Sequence, residues 1–279
     1  MIYLILAIAS SVLVSISIRV SENYISNKYG MLMINYILCA IFSVFYMNKG
    51  LNYLTQTGTG FMLGLGVVNG LLYLGTLLMM QYSTKYNGVV LSSTFMKLGV
   101  LIPTLMAILV FGELPKCTQV IGIVLSVAAI LILQFEKEAL RQGNKKVWLL
   151  FLLVGGGITD SLANVYEQYG NPDIQDGFLL VTFLIASIFA AILAFTSKHK
   201  ISKEDILYGL ILGVPNYFSA RFLLRALGEM NAVIVYPTSN VGTMVIISLI
   251  GVLIFRESMN KRKAAALAMI VLALCFLNI

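Results

Sequence analysis

The sequence has one histidine, three cysteines and only 11% charged residues in 279, and each shortage excludes a class of function. His199, in the basic loop Lys198-His199-Lys200, rules out zinc or haem ligation by two or more histidines. It leaves little room for histidine-dependent catalysis. Cys39, Cys117 and Cys275 stand singly inside or at the edge of apolar segments, without the paired spacing of a disulfide framework or a metal knuckle. There is no glycine-rich phosphate loop followed by Lys-Ser or Lys-Thr, and no soluble nucleotide-binding domain, so ATP is not expected to drive this protein directly. No cofactor and no metal are expected. The first apolar segment has neither a basic n-region nor a small-residue cleavage pattern before Arg19, which reads as a retained span.

What the chain has in quantity is apolar sequence. With 59% hydrophobic residues and a mean hydropathy of +0.92, it is far outside the range of soluble domains, about a quarter of which is charged. It reads as an all-α, polytopic membrane protein. The net charge of +7 comes from short basic clusters between apolar runs, the pattern of membrane-protein loops rather than of a nucleic-acid-binding face. Ten apolar segments are expected to cross the bilayer: 2–20, 30–47, 59–80, 88–111, 118–135, 147–168, 177–196, 205–227, 232–255 and 263–279. The charged stretch 136–146 reads as a linker between halves 1–140 and 141–279.

The halves repeat. A shift of 144 sets Tyr73 on Tyr217, Asn87 on Asn231, Thr94 on Thr238, Phe111 on Phe255 and Glu113 on Glu257. Nearer the start a shift of 145 sets Ser-Glu-Asn-Tyr at 21–24 on Tyr-Glu-Gln-Tyr at 166–169. Five spans per half is an odd number, so the second copy enters the membrane from the other side. Two inverted repeats related by a pseudo-two-fold axis in the membrane plane suit an alternating-access carrier.

Charged and polar residues inside the spans are expensive in hydrocarbon and therefore point to sites. Lys97 is the charge near the middle of the fourth segment, and Ser93, Lys97 and Thr104 fall within about 40° of one another on a helical wheel. On the first segment Ser15, Arg19 and Glu22 share a face, and the repeat carries them onto Asp160, Asn164 and Glu167. Asp160, about mid-span, reads as a binder of a substrate amine or of a coupling proton or cation; its bland alternative is an ion pair with Lys97. Glu22 and Glu167 are coupling candidates nearer the helix ends. Tyr217, Arg221 and Arg225 recur at steps of four on the eighth segment, where a guanidinium facing a cavity would grip a carboxylate or phosphate and the alternative is again a structural pair. Asn69, Tyr73 and Thr76 form a stripe on the third segment, and Tyr236, Asn240 and Thr243 one on the ninth. Single polar residues of this kind often only bond helix to helix. Together these stripes imply a shared polar cavity. Gly64, Gly66, Gly70 and Gly75, with Gly155-Gly156-Gly157, read as close-packing faces or bending points.

Basic residues concentrate in the odd-numbered loops, with Lys28, Lys85, Lys137, Arg141, Lys145, Lys146, Lys198, Lys200, Lys203, Lys261, Arg262 and Lys263 against Lys49 and Lys116 in the even ones. By the positive-inside rule both termini face outward.

Two five-span repeats, each with a fourth span ending in an apolar residue, any residue and Glu, as in Phe111-Gly112-Glu113 and Phe255-Arg256-Glu257, resemble the ten-helix EamA-type branch of the drug/metabolite transporter superfamily. The resemblance covers the whole chain. Arg256 departs from the small residue usual before this Glu, and Pro103 and Pro237 are displaced from the proline often found in the fourth span. The resemblance implies secondary transport, a prokaryotic cell membrane and termini in the cytoplasm, which differs from the charge reading.

The expectation is a secondary carrier of a small hydrophilic metabolite, an amino acid or small organic anion, working by alternating access in contact with membrane lipid, with a proton or sodium ion as possible coupling partner. Lys97, Arg221, Asp160, Asn164, Ser93, Asn69, Tyr73, Tyr217 and Asn240 are the expected substrate contacts. An exporter of cationic drugs or amines is the alternative, since such a substrate meets two positive charges here. A membrane scaffold or an intramembrane enzyme is the alternative of another class.

Overall fold

The computed structural model describes residues 1–47, 56–87, 89–134, 147–254 and 261–278. The expected linker 136–146 and the motif Phe255-Arg256-Glu257 lie outside the described residues, as does the Ser93 side chain. Among the described residues the structure is helical throughout, with no strand. The helices are α1 (Ile2–Ser21), α2 (Lys28–Phe45), α3 (Thr59–Asn87), α4 (Val89–Leu98), α5 (Leu101–Leu109), α6 (Cys117–Gln134), α7 (Val147–Tyr169), α8 (Gln175–Thr196), α9 (Lys203–Glu229), α10 (Ala232–Leu253) and α11 (Lys261–Asn278). Seven are long and apolar enough to cross a membrane: Ile2–Ser21, Lys28–Phe45, Thr59–Met80, Val147–Tyr169, Pro172–Thr196, Lys203–Glu229 and Ala232–Leu253. Shorter apolar helices cover Phe95–Leu109, Cys117–Ile132 and Ala264–Asn278. Ile5, Ile41, Phe45, Ile188 and Ile192 are exposed on these helices while Asn35, Asn69 and Thr182 are buried, the distribution expected of a chain surrounded by lipid.

The chain forms two compact units that cut across its sequence halves. One comprises Met1–Leu74 and Val165–Gly228, the other Gly75–Asn164 and Glu229–Ile279. In the first unit α2 packs most extensively on α8, with Tyr36 against Phe183 at 6.2 Å between ring centroids. Glycine lets the backbones approach: a Cβ on Gly70 of α3 would lie 2.6 Å from the Thr182 carbonyl oxygen of α8, and one on Gly209 of α9 would lie 2.7 Å from the Met31 carbonyl oxygen of α2. Two connections are tied together by side chains. Asn27 caps α2 by accepting from the Tyr29 and Gly30 amides, and its Nδ2 donates to the carbonyls of Ala194 and His199. Asp205, fully buried, accepts from the amides of Ser26, Asn27 and Ser202. The Asp205 amide donates to the Ser202 hydroxyl in return, a reciprocal cap at the start of α9.

In the second unit α6 packs along α11, with Gly122 against Leu277 and the Ala273 carbonyl. The fourth apolar segment, expected as one helix, is instead broken at Gly99-Val100. Pro103 is the cause. It has no amide proton to return to the Gly99 carbonyl, which is taken by the Ile102 amide at 3.0 Å, one residue too early for an α-helix. The break sits where α7 crosses: a Cβ on Gly157 would lie 2.6 Å from both the Gly99 carbonyl oxygen and the Ile102 Cβ.

Beyond α5 the chain turns at Gly112, whose φ of +70° is a conformation other residues adopt at a cost. The turn delivers Glu113 to the start of α10, where its carboxylate accepts from the Ala232 amide at 3.1 Å and the Val233 amide at 2.8 Å. Asn231, the residue that precedes α10, makes no side-chain cap of its own. Glu113→Ala is therefore expected to cost about 1–2 kcal/mol of stability, and Glu113→Gln less, in denaturant unfolding of the detergent-solubilised protein.

Candidate functional site

The glycine crossing fixes the position of two charges in the second unit. Lys97 lies two residues before Gly99 on α4, and Asp160 three residues after Gly157 on α7, so the crossing that lets the backbones touch also brings the ammonium and the carboxylate into electrostatic interaction. Both groups are enclosed by protein, yet each keeps some accessible surface. Neither makes a direct ion pair or side-chain hydrogen bond with a described residue. The two opposite charges thus interact without a direct bond to each other or to another described residue. Around them stand the Tyr236 hydroxyl of α10, which donates to the Asp160 backbone carbonyl at 2.5 Å, and the Thr76 and Thr159 hydroxyls, 3.4 Å apart. Asn164, one turn beyond Asp160, is 1% exposed and its Nδ2 has no hydrogen-bond partner. Asn240, one turn beyond Tyr236, spends its amide on the Tyr236 carbonyl.

In the first unit the cation is neutralised. Arg221 of α9 donates to Asp176 of α8 at 3.2 Å and to the Tyr217 hydroxyl at 3.2 Å, and Tyr217 donates to the other Asp176 oxygen at 3.3 Å. The Tyr46 ring covers the guanidinium, with the cation 4.1 Å from the ring centroid. The guanidinium is thus held by a carboxylate, a phenol and an aromatic face, rather than left free for an anion. Asp176 was not among the residues the sequence singled out. In the sequence it belongs to a short acidic stretch ahead of the seventh apolar segment, where carboxylates are ordinarily solvated, and its distance of 45 positions from Arg221 carries no periodic signal. Tyr46, near the end of the second apolar segment, is part of this cluster. Glu167 accepts from the Gln175 amide at 2.7 Å and packs on Gly228, whereas Glu22 is exposed at the end of α1. Asn69 donates to Thr182 at 3.4 Å while its Oδ1 has no hydrogen-bond partner, and Tyr73 stacks edge-on to Tyr36 and Phe183.

Of the expected contacts, Lys97, Asp160, Asn164 and Asn240 fall in one unit and Asn69, Tyr73, Tyr217 and Arg221 in the other. No cluster of three or more metal-ligating side chains occurs among the described residues.

Residues 147–279 match the model of the EamA-like transporter family. Over this stretch, just under half of its length, the chain is similar to EamA-like transporters. The family belongs to the drug/metabolite transporter superfamily, and the helices described above make the protein an integral, multi-pass membrane protein. An uncharacterized protein of Haemophilus influenzae is 26% identical over 271 residues, covering 92% of this chain and 91% of its own. A solved structure described only as the crystal structure of a protein superposes with a TM-score of 0.76 at 16% identity, over 99% of this chain and 95% of that one, a likeness of fold alone.

Proposed function

We propose that this protein is a secondary carrier of a small hydrophilic metabolite, moving its substrate by alternating access past Lys97 and Asp160. The observation that carries the reading is the pair itself. A lysine and an aspartate placed in apolar spans, close enough to interact but with no direct partner among the described residues, are costly unless a ligand or water meets them. Asn164 and Asn240 complete the polar surroundings in this unit, with Ser93 one turn before Lys97 in sequence.

The inverted repeat belongs to the same proposal, with all ten apolar segments crossing the membrane. Its support is the correspondence of helix ends: a shift of 144 carries Cys117–Gln134 (α6) onto Lys261–Asn278 (α11), and carries Thr59, the first residue of α3, onto Lys203, the first of α9. The equivalent helices also pair within each unit, α2 with α8 and α6 with α11. Arg221, bound to Asp176, is no longer one of two free cations. Lys97 still stands against a purely cationic substrate, which keeps drug-cation export the weaker reading.

The test is accessibility from the two sides of the membrane. With Cys39, Cys117 and Cys275 replaced, Lys97→Cys in right-side-out and inverted vesicles is expected to react with an impermeant thiol reagent from both faces. A scaffold or a closed bundle would leave position 97 reachable from one face or from neither.

A further inference from the structure

The paired helices α2 and α8 of the first unit are tied at both ends, and the ties occupy equivalent places in the repeat. A shift of 144 sets Asn27, just before α2, on Asn171, just before the short turn that leads into α8. Each asparagine accepts at Oδ1 from the backbone that follows it, Asn27 from the Tyr29 and Gly30 amides and Asn171 from the Asp173 amide. Each reaches with Nδ2 to a distant part of the chain. Asn27 donates to the Ala194 carbonyl near the end of α8 at 3.0 Å and to the His199 carbonyl at 2.6 Å, whereas Asn171 donates to the Thr57 carbonyl, ahead of α3, at 3.1 Å. We propose that the two ties are unequal: the one at Asn27 is permanent, and the one at Asn171 is a clasp that opens, so that the connections flanking α2 and α8 part at one end only.

A buried carboxylate makes the difference. Asp205, fully enclosed, accepts from the amides of Ser26 at 2.9 Å, Asn27 at 3.2 Å and Ser202 at 2.7 Å. Parting the connections at this end would strip a buried carboxylate of its donors, which is expensive. In the other copy the same shift puts Phe61 in the place of Asp205 and Gly58 in the place of Ser202. A phenyl ring accepts no amide, and glycine has no hydroxyl with which to cap α3. Burial follows the same division. Asn27 is 2% exposed, while Thr57 and Gly58 are exposed and Asn171 is half-buried, so water can replace the Asn171–Thr57 bond at little net cost. Asn171 is anchored on its own side. Its carbonyl accepts from the Tyr166 hydroxyl at 2.9 Å, and the Tyr166 ring stacks on Phe178 with centroids 4.5 Å apart. The part that leaves when the clasp opens is therefore the stretch 56–58.

The test closes each tie covalently. A Cβ on Gly58 would lie 3.6 Å from the Asn171 Cβ, and one on Gly30 would lie 3.5 Å from the Ile201 Cβ, separations that a disulfide accepts. In full-length protein with Cys39, Cys117 and Cys275 replaced, Gly58→Cys/Asn171→Cys locks the clasp and Gly30→Cys/Ile201→Cys locks the other end. Hydrogen exchange followed by mass spectrometry is expected to show the oxidised clasp lock slowing the amides of 56–62 at least about tenfold against the wild type. The other lock is expected to change the amides of 26–31 and 199–206 by less than about twofold, because that end is already shut. Cysteine at 58 must adopt the φ of +90° found there; should that protein not fold, the wild type alone decides, with 199–206 protected at least about 100-fold more than 56–62. Equal protection at the two ends would overturn the inference, as would a lock at Gly30 that slows its own end as much as the clasp lock slows the other. The readout needs no substrate, so failure of the carrier reading would leave it untouched.

Discussion

Arg221→Met is expected to destabilise the protein by about 3–5 kcal/mol, and Asp176→Leu by a similar amount, because each leaves the opposite charge enclosed without its partner. The side chains are 7% and 18% exposed, so water can do little to replace the lost contact. The double variant Arg221→Met/Asp176→Leu removes both charges and is expected to recover most of the loss, since apolar replacements of a buried pair are often close to neutral. Tyr217 bonds to both partners, and Tyr217→Phe should cost about 1 kcal/mol in the wild type and less in the double variant, where neither bond remains. Unfolding of the detergent-solubilised proteins measures all four. Single variants that bind and unfold like the wild type would mean that the pair holds nothing together.

The second large effect concerns neighbouring glycines that the sequence cannot tell apart. Gly157→Ala is expected to cost about 1–3 kcal/mol and to abolish ligand binding at Lys97, because its Cβ would strike the Gly99 carbonyl oxygen, which belongs to backbone and has no rotamer to escape into. To relieve the clash α7 must move off the α4–α5 break, carrying Asp160 away from Lys97. Gly156→Ala meets nothing nearer than 3.9 Å and should be tolerated, or stabilise by up to about 1 kcal/mol through helix propensity. Thermal melts with and without ligand separate the two substitutions. Equal behaviour would show that the crossing does not set the distance between the charges.

The contrast between these glycines shows where the sequence was legible. Hydropathy placed most helix ends to within a few residues, because each helix must be apolar along its length; α3 runs on to Asn87, seven residues past its expected end, through the polar stretch Gln81–Asn87 that hydropathy alone reads as a loop. Lys97 and Asp160 stood out for the same reason: a charge amid apolar residues is visible without coordinates. Partners were not visible. That Arg221 would meet Asp176, a residue at the foot of another helix, depends on packing, and packing leaves no periodic mark. The break at Gly99-Val100 was half-legible, since Pro103 announces a missing amide, but an expected span of 24 residues, 88–111, concealed it. Glu113 could be read as marking the end of a span; the helix start it caps, 119 positions later, could not.

The carrier account is tested most directly by solute counterflow. Proteoliposomes loaded with unlabelled neutral amino acids and diluted into a trace of the same labelled mixture, with no nucleotide and no ion gradient, should show a transient accumulation of label with the wild type and none with Lys97→Gln. Label that enters both preparations alike, or that never rises above the level of protein-free liposomes, would contradict a carrier built around Lys97 and Asp160.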